Sequence, residues 1–197
     1  APRFDGTFRI DLDIDATDDA THGQQQLSFF NAYFDHHIYH PLLIFDGDGQ
    51  LITALLRPGN VHASRGAKGL LRRLIRKIRK RCPEALIVVR GDSGFCVPRI
   101  LNEFERLDQH LGGIDYLLGI PKNAVLLRHL EPEMELAKEL HEKRVEKVVR
   151  YTSFSYAAKS WPHSRHVVGT AEYSFSGRNP RFVVTSLCEF PPDVLYQ

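Results

Sequence analysis

The chain has 197 residues, 43% of them hydrophobic, with 26 basic and 24 acidic side chains and a formal net charge of +2. That length and apolar content support a buried core, in one large domain or in a domain carrying an insertion, and exclude a disordered or fibrous chain. Three cysteines without CxxC spacing argue against a disulfide framework or a zinc knuckle. With no apolar run of about 18 residues and no charged start before an apolar segment, neither membrane spanning nor secretion is indicated, and a reducing cytoplasm is the expected location.

Charge is unevenly placed along the chain. Arg3 to Asp19 holds six acids and two bases, whereas ten bases and no acid fall between Asp48 and Glu84. That polarity suits an acidic metal-binding centre paired with a polyanion-binding surface.

In chain order, the first informative stretch is Phe8 to Gly23, FRIDLDIDATDDATHG. Phe8, Ile10, Leu12 and Ile14 alternate with Arg9, Asp11, Asp13 and Asp15, the period of a half-buried strand. Asp11, Asp13 and Asp15 therefore share one face. Aspartate is disfavoured in strands and like charges two residues apart repel, so a divalent cation or a basic partner is the natural compensation. The plainer reading is an exposed sheet face beside lysine or arginine.

Leu27 to Tyr39 is rich in aromatics and histidine, and PLLIFD from Pro41 predicts a second strand. Asp46-Gly47-Asp48-Gly49 is a turn signal, and Leu51 to Arg57 predicts a third strand, antiparallel to the second. The DGDG sequence lacks the terminal glutamate of a calcium loop and reads as a hairpin turn. Asp35-His36-His37 with His40 lacks the HExxH spacing of a zinc site.

Pro58-Gly59-Asn60 breaks the chain, after which His62 to Arg81 carries Leu70, Leu71, Leu74, Ile75 and Ile78 at helical spacing. Arg65, Lys68, Arg72, Arg76 and Arg79 form a basic stripe along it. The stripe reads either as a solvated face or as a surface contacting DNA phosphates without regard to sequence. ALIVVRGDSGF then predicts a strand buried on both faces. Pro98 opens a helix whose buried face is Ile100, Leu101, Phe104, Leu107 and Leu111, Gly112-Gly113 stops it, and Ile114 to Ile120 is a further strand.

Glu131 to Lys147 predicts a solvated helix with Glu-to-Lys pairs, Leu136 and Leu140 being its apolar positions. From Val148 the chain is β-rich in three stretches, separated by Trp161-Pro162 and by Ser176 to Pro180, as expected of an antiparallel insertion. Its aromatic residues read as core.

The second informative carboxylate is Asp92, at the end of the doubly buried strand and flanked by Gly91 and Gly94. Glycines there permit a close backbone approach. If this strand neighbours the first, Asp15 and Asp92 meet at adjacent strand positions and offer hard oxygen ligands to Mg2+ or Mn2+. A turn-capping role for Asp92 is the alternative.

LDIDATDDATHG, LRPGN and RGDSGF, in this order and spacing, closely resemble the catalytic domain of DDE transposases encoded by bacterial insertion sequences. The resemblance runs from about Arg9 to Leu187 and implies an α/β fold with a ribonuclease H-like mixed sheet flanked by helices and a β-rich insertion. On that basis residues 1–130 are part of the catalytic core, 131–190 a helical and β-rich insertion, and 191–197 the start of a truncated C-terminal segment.

The resemblance implies that Asp15, in the D-x-T context Asp15-Ala16-Thr17, and Asp92 are catalytic metal ligands, with Asp13 the fallback and Asp11 structural. It further implies a two-ion Mg2+ or Mn2+ site in the complete enzyme, bridged by Asp15. DNA, as transposon ends and target, is the implied partner, and a homodimer the implied state of the full-length protein. The implied activity is cleavage at transposon ends followed by joining of the freed 3' hydroxyl to target DNA.

The family's third carboxylate is a glutamate on a helix after the insertion, in a motif of Tyr, Arg, Glu and Lys. Leu195-Tyr196-Gln197 resembles the approach to it, so that ligand is expected beyond Gln197, and a fragment without activity of its own is expected. Glu172 and Glu189, in or beside the β-rich stretch, are poor substitutes. The competing readings are a catalytically silent ribonuclease H-like module that binds nucleic acid or a partner, and a metal-dependent phosphatase or other hydrolase. The basic stripe weighs against the second of these.

Overall fold

The alternation of Ile10, Leu12 and Ile14 with Asp11, Asp13 and Asp15 is realised as strand β1, Arg9–Ala16. The computed structural model describes residues 8–196; the opening APRFDG and Gln197 lie outside the described residues. The chain divides into one compact unit ending at Asp115 and another starting at Tyr116.

The first unit begins with β1 and a small three-stranded sheet over the aromatic and histidine-rich stretch, where the sequence shows no strand period. Its strands are β2 (Asp19–Ala20), β3 (Phe29–Asn31) and β4 (His36–Tyr39), with β4 in the middle and both neighbours antiparallel to it. The strands are too short to show periodicity, which is why the aromatic and histidine content was the only visible signal. Gly59 closes this sheet. A Cβ there would lie 2.0 Å from the carbonyl oxygen of Ile38 and 2.7 Å from that of Phe29, so only glycine fits.

β5 (Leu42–Asp46) and β6 (Leu51–Leu55) form the expected antiparallel hairpin. Its turn is an aspartate turn: Asp46 Oδ1 accepts the N–H of Asp48 at 3.0 Å and of Gln50 at 2.8 Å, with Gly49 at φ +80. β7 (Leu86–Gly91) follows helix α1 (Ala67–Arg81) and pairs parallel with β1, while β5 pairs antiparallel on the other side, giving the order β6-β5-β1-β7. Helix α2 (Pro98–Leu111) starts at Pro98 and stops at Gly112, as expected.

α1 begins five residues later than the periodicity predicts, at Ala67 and not at His62. The residues before it are taken up by a tight turn ending at Gly66, whose φ is +82. The core of the unit is Leu12, Ile14, Leu42, Ile44 and Leu86 to Val89, with Leu71 and Ile75 of α1 and Ile100, Leu101, Phe104 and Leu107 of α2. Burial of such a set supplies most of the favourable free energy of folding.

β8 (Ile114–Gly119) runs from the end of the first unit into the second, where its residues 117–119 pair antiparallel with β11. Helix α3 spans Ala124–Arg144, capped by Asn123, whose Oδ1 accepts the N–H groups of Val125 and Leu126. It is followed by the meander β9 (Val148–Tyr156), β10 (Arg165–Ser174) and β11 (Gly177–Thr185).

Two expectations are corrected in this unit. α3 is not a solvated helix with apolar positions at Leu136 and Leu140: it buries Leu126, Leu130, Met134 and Ala137, and leaves Leu136 43% exposed. Its glutamates pair with arginines of the strands, Glu133 with Arg150 and Glu131 with Arg178, and among the described residues none pairs along the helix with lysine. The segment Gly177 to Pro180, expected as a loop, is the start of β11. Pro180 is tolerated because β8 reaches β11 only from Val183, so its missing N–H has no strand to face.

Candidate functional site

β1 and β7 run parallel with Leu12 opposite Val89, Asp13 opposite Arg90 and Ile14 opposite Gly91. The pairing ends at Ile14 and Gly91, so Asp15 and Asp92 are the residues that follow the last registered pair on the two chains. Because partners in a parallel pair project to the same face, Asp11, Asp13, Asp15 and Arg90 share one side of the sheet, opposite the side of the buried Leu12 and Ile14, and Asp92 follows directly after the end of β7.

The carboxylates on this face are not equivalent. Arg90 donates Nε and Nη2 to the two oxygens of Asp13, each at 2.6 Å, and its Nη1 lies 3.7 Å from Asp11. Arg9 Nε donates to Asp11 Oδ1 at 2.5 Å. Asp11 and Asp13 thus have arginine partners, which is the plainer reading of the acidic strand, and it holds for two of its three aspartates.

Asp15 and Asp92 are both exposed, and among the described residues neither has an ion-pair partner. Each is braced only by a local backbone donor: Asp15 Oδ1 accepts Ala16 N–H at 2.7 Å, and Asp92 Oδ1 accepts Gly94 N–H at 2.9 Å. The second bond makes Asp92 the cap of the turn Ser93–Phe95, so the capping role and the outward-facing carboxylate coexist. Two anionic groups from different strands, held by their backbones and without a cation, fit a hard divalent ion. No group of three or more histidine, cysteine, aspartate or glutamate side chains able to hold a metal occurs among the described residues.

The basic stripe is largely engaged within the fold. Arg72 donates to Glu103 of α2 at 2.7 and 2.8 Å, Arg106 joins it, and Lys68 lies 3.6 Å away. Burial pushes the Glu103 carboxyl up, but the hydrogen bonds from Arg72 and Arg106 outweigh it and hold its pKa at about 2. Arg79 donates to the carbonyls of Pro83, Ala85 and Gly112. Arg65 lies outside the helix and is exposed, as is Arg76.

Glu172 is held by Lys147 at 2.9 Å, Asn179 at 3.1 Å and Arg181 at 2.9 Å, and Glu189 is exposed. His36 Nδ1 bonds the carbonyl of Phe34 and His40 Nδ1 that of Val61, so each histidine has a structural partner. Among the described residues Cys82, Cys96 and Cys188 form no disulfide.

One residue of this region passed unmarked in the sequence. Arg57, 5% exposed, donates to the carbonyls of His40 at 2.6 Å, Ala63 at 2.5 Å, Arg65 at 2.8 Å and Pro41 at 3.4 Å. Burial lowers its pKa to about 10, and it remains charged. It ties the segment before β5, whose Pro41 carbonyl also accepts Thr17 N–H just past Asp15, to the loop that touches Asp92's turn. The signal was present as the arginine of LRPGN, without an indication of its burial.

Residues 6–197 match the family model described as transposase DDE domain group 1. The chain belongs to this family. The DDE domain is similar in fold to the piggyBac transposase in its synaptic complex with hairpin DNA, with a TM-score of 0.51, 12% identity and 92% of this chain covered. The chain spans 34% of that protein, about a third of its length. Looser likenesses are to Argonaute of Aquifex aeolicus (TM-score 0.41, 14% identity, 97% of this chain and 24% of that one) and to the NurA nuclease of Sulfolobus solfataricus (0.43, 9%, 94% and 71%). No curated protein matches the sequence. The mixed α/β fold and the transposase DDE domain expected from the sequence are both found. No helix among the described residues is long and apolar enough to cross a membrane.

Proposed function

We propose that Asp15 and Asp92 hold Mg2+ or Mn2+ and that the domain carries out metal-dependent cleavage and strand transfer of DNA. The observation that supports this reading is the contrast along β1 and β7: Asp11 and Asp13 have arginine partners, whereas Asp15 and Asp92, which follow the last registered pair Ile14–Gly91, have no ion-pair partner among the described residues. The metal would supply Lewis-acid stabilisation of charge on the phosphoryl oxygens. The chain's own part is to hold two carboxylates at fixed strand ends, with Gly94 N–H and Ala16 N–H fixing their rotamers. In this reading the substrate is DNA at transposon ends and target, and residues 131–190 are an insertion carried by the catalytic core.

The test is a calorimetric Mn2+ titration of the parent chain and of Asp15→Asn and Asp92→Asn. Each variant is expected to weaken binding roughly tenfold or more, since each removes one of two charged ligands. Unchanged Mn2+ binding in both variants would favour a module that binds nucleic acid without cutting it.

A further inference from the structure

We propose that His62, Arg65 and Arg99 form a phosphate-binding edge beside Asp92 that takes the sugar–phosphate backbone of duplex DNA. The inference rests on the reading of Asp15 and Asp92 as a site acting on DNA.

The loop between Asn60 and Gly66 lies against the turn that follows Asp92. A Cβ on Gly94 would stand 3.0 Å from the Ala63 Cβ and 3.1 Å from Asp92 Oδ1, so the loop packs closely against the turn at the glycine that also braces the carboxylate. Next to Ala63, Ser64 is 1% exposed and links two outward-facing side chains. Arg99 Nη2, from the first turn of α2, donates to Ser64 Oγ at 2.6 Å. His62 Nδ1 faces the Ser64 N–H at 3.2 Å and the Ser64 hydroxyl at 2.9 Å.

These contacts select the tautomer of a neutral His62 ring. A backbone N–H can only donate, so Nδ1 is an acceptor, and a neutral ring then carries its proton on Nε2. The serine hydroxyl donates to Nδ1 and accepts from Arg99. Both His62 and Arg99 are exposed, so the Nε2–H and the remaining guanidinium N–H groups are left as donors at the surface.

The fold leaves this cluster largely unused, as it does the exposed Arg73 and Arg76 of α1, but among the described residues only this cluster is joined to the turn after Asp92 through Ala63 and Ser64. Arg57 and Arg79 each meet several carbonyls, Arg72 and Arg106 clamp Glu103, and Arg90 is paired with Asp13. Arg99 has one neutral acceptor, and Arg65, exposed on the same turn, has no carboxylate within ion-pair distance among the described residues. Arg99 and His62 are anchored to a buried serine, and Arg65 adds a second cation from the loop whose backbone Arg57 holds, so the three offer donors to an anion with several oxygens. A phosphate diester bound there would lie next to Asp92, whose own charge needs such screening when polyanionic DNA approaches.

The experiment measures binding of a short duplex oligonucleotide to the parent chain, Arg65→Gln, Arg99→Gln and His62→Ala over about 50 to 200 mM salt. Each arginine variant is expected to weaken binding and to lower the slope of log K against log salt by about 0.9, one phosphate contact. His62→Ala is expected to weaken binding with the slope unchanged, because a neutral donor releases no counterion. Arg65 makes no side-chain hydrogen bond that Arg65→Gln would break, so this variant keeps the test informative if Arg99→Gln melts early. Slopes unchanged in both arginine variants, or no duplex binding by the parent chain, overturn the proposal. Mn2+ titration of the same samples separates the two readings: a falling slope without Mn2+ binding leaves the phosphate edge standing and removes the metal site.

Discussion

Asp13 and Arg90 stand opposite each other across β1 and β7 and share two hydrogen bonds of 2.6 Å. This pair neutralises the middle of the acidic strand, so the remaining anionic character is concentrated two residues further on, at Asp15 and Asp92. Asp13→Asn is therefore expected to change Mn2+ affinity by less than about threefold, against the roughly tenfold loss for Asp15→Asn. Arg90→Met should do the opposite, leaving Asp13 without its cation so that it adds to Mn2+ binding, and destabilising the fold by only about 1 kcal/mol, since the pair is more than a third exposed. Calorimetric Mn2+ titration checks this, and an Arg90→Met protein that binds as the parent does contradicts it.

Glu103 sets the acid limb of stability. Despite burial, its contacts with Arg72 and Arg106 hold its carboxyl at about 2, below the ordinary 4.5. A depressed folded-state pKa means that the unfolded chain takes up the proton first, so this stabilisation is complete above about pH 4.5 and is lost as pH falls toward about 2. Urea midpoints should drop more steeply over that window for the parent than for Glu103→Gln. At neutral pH the same substitution should cost about 1–3 kcal/mol, because it loosens a cluster around a nearly buried carboxylate. Parallel acid limbs for the two proteins would refute the assignment.

Two glycines give opposite expectations. Gly59→Ala forces a Cβ into the carbonyls of Ile38 and Phe29 and should destabilise by about 3 kcal/mol or more, with loss of the small β2–β4 sheet. Gly69, in the first turn of α1, has open space around a new Cβ, and Gly69→Ala should stabilise by roughly 0.5 kcal/mol. Thermal melts of the two variants decide the matter by the sign of the shift.

The sequence by itself determined the parts of this protein that depend on local periodicity. The alternation in β1, the unbroken apolar run of β7, the Pro98 and Gly112 boundaries of α2 and the DGDG turn are each written within a few residues, and each stands in the structure where it was expected. The candidate carboxylates, Asp15 and Asp92, were likewise legible, because their D-x-T and GDSG contexts are local motifs.

Tertiary structure decided what depends on partners distant in sequence. Nothing near Asp13 marks it as engaged and Asp15 as free of a cation; the difference comes from Arg90, 77 residues away, arriving on the neighbouring strand. Lys68, Arg72 and Arg79 looked alike until Glu103 and a set of backbone carbonyls claimed them. α3 looked solvated because its buried residues are separated by charges that find arginines on β9 and β11. Charge patterns record which groups are present, but electrostatic compensation is a property of distance, and for this acidic face and its basic neighbours distance is set only when the strands and helices pack.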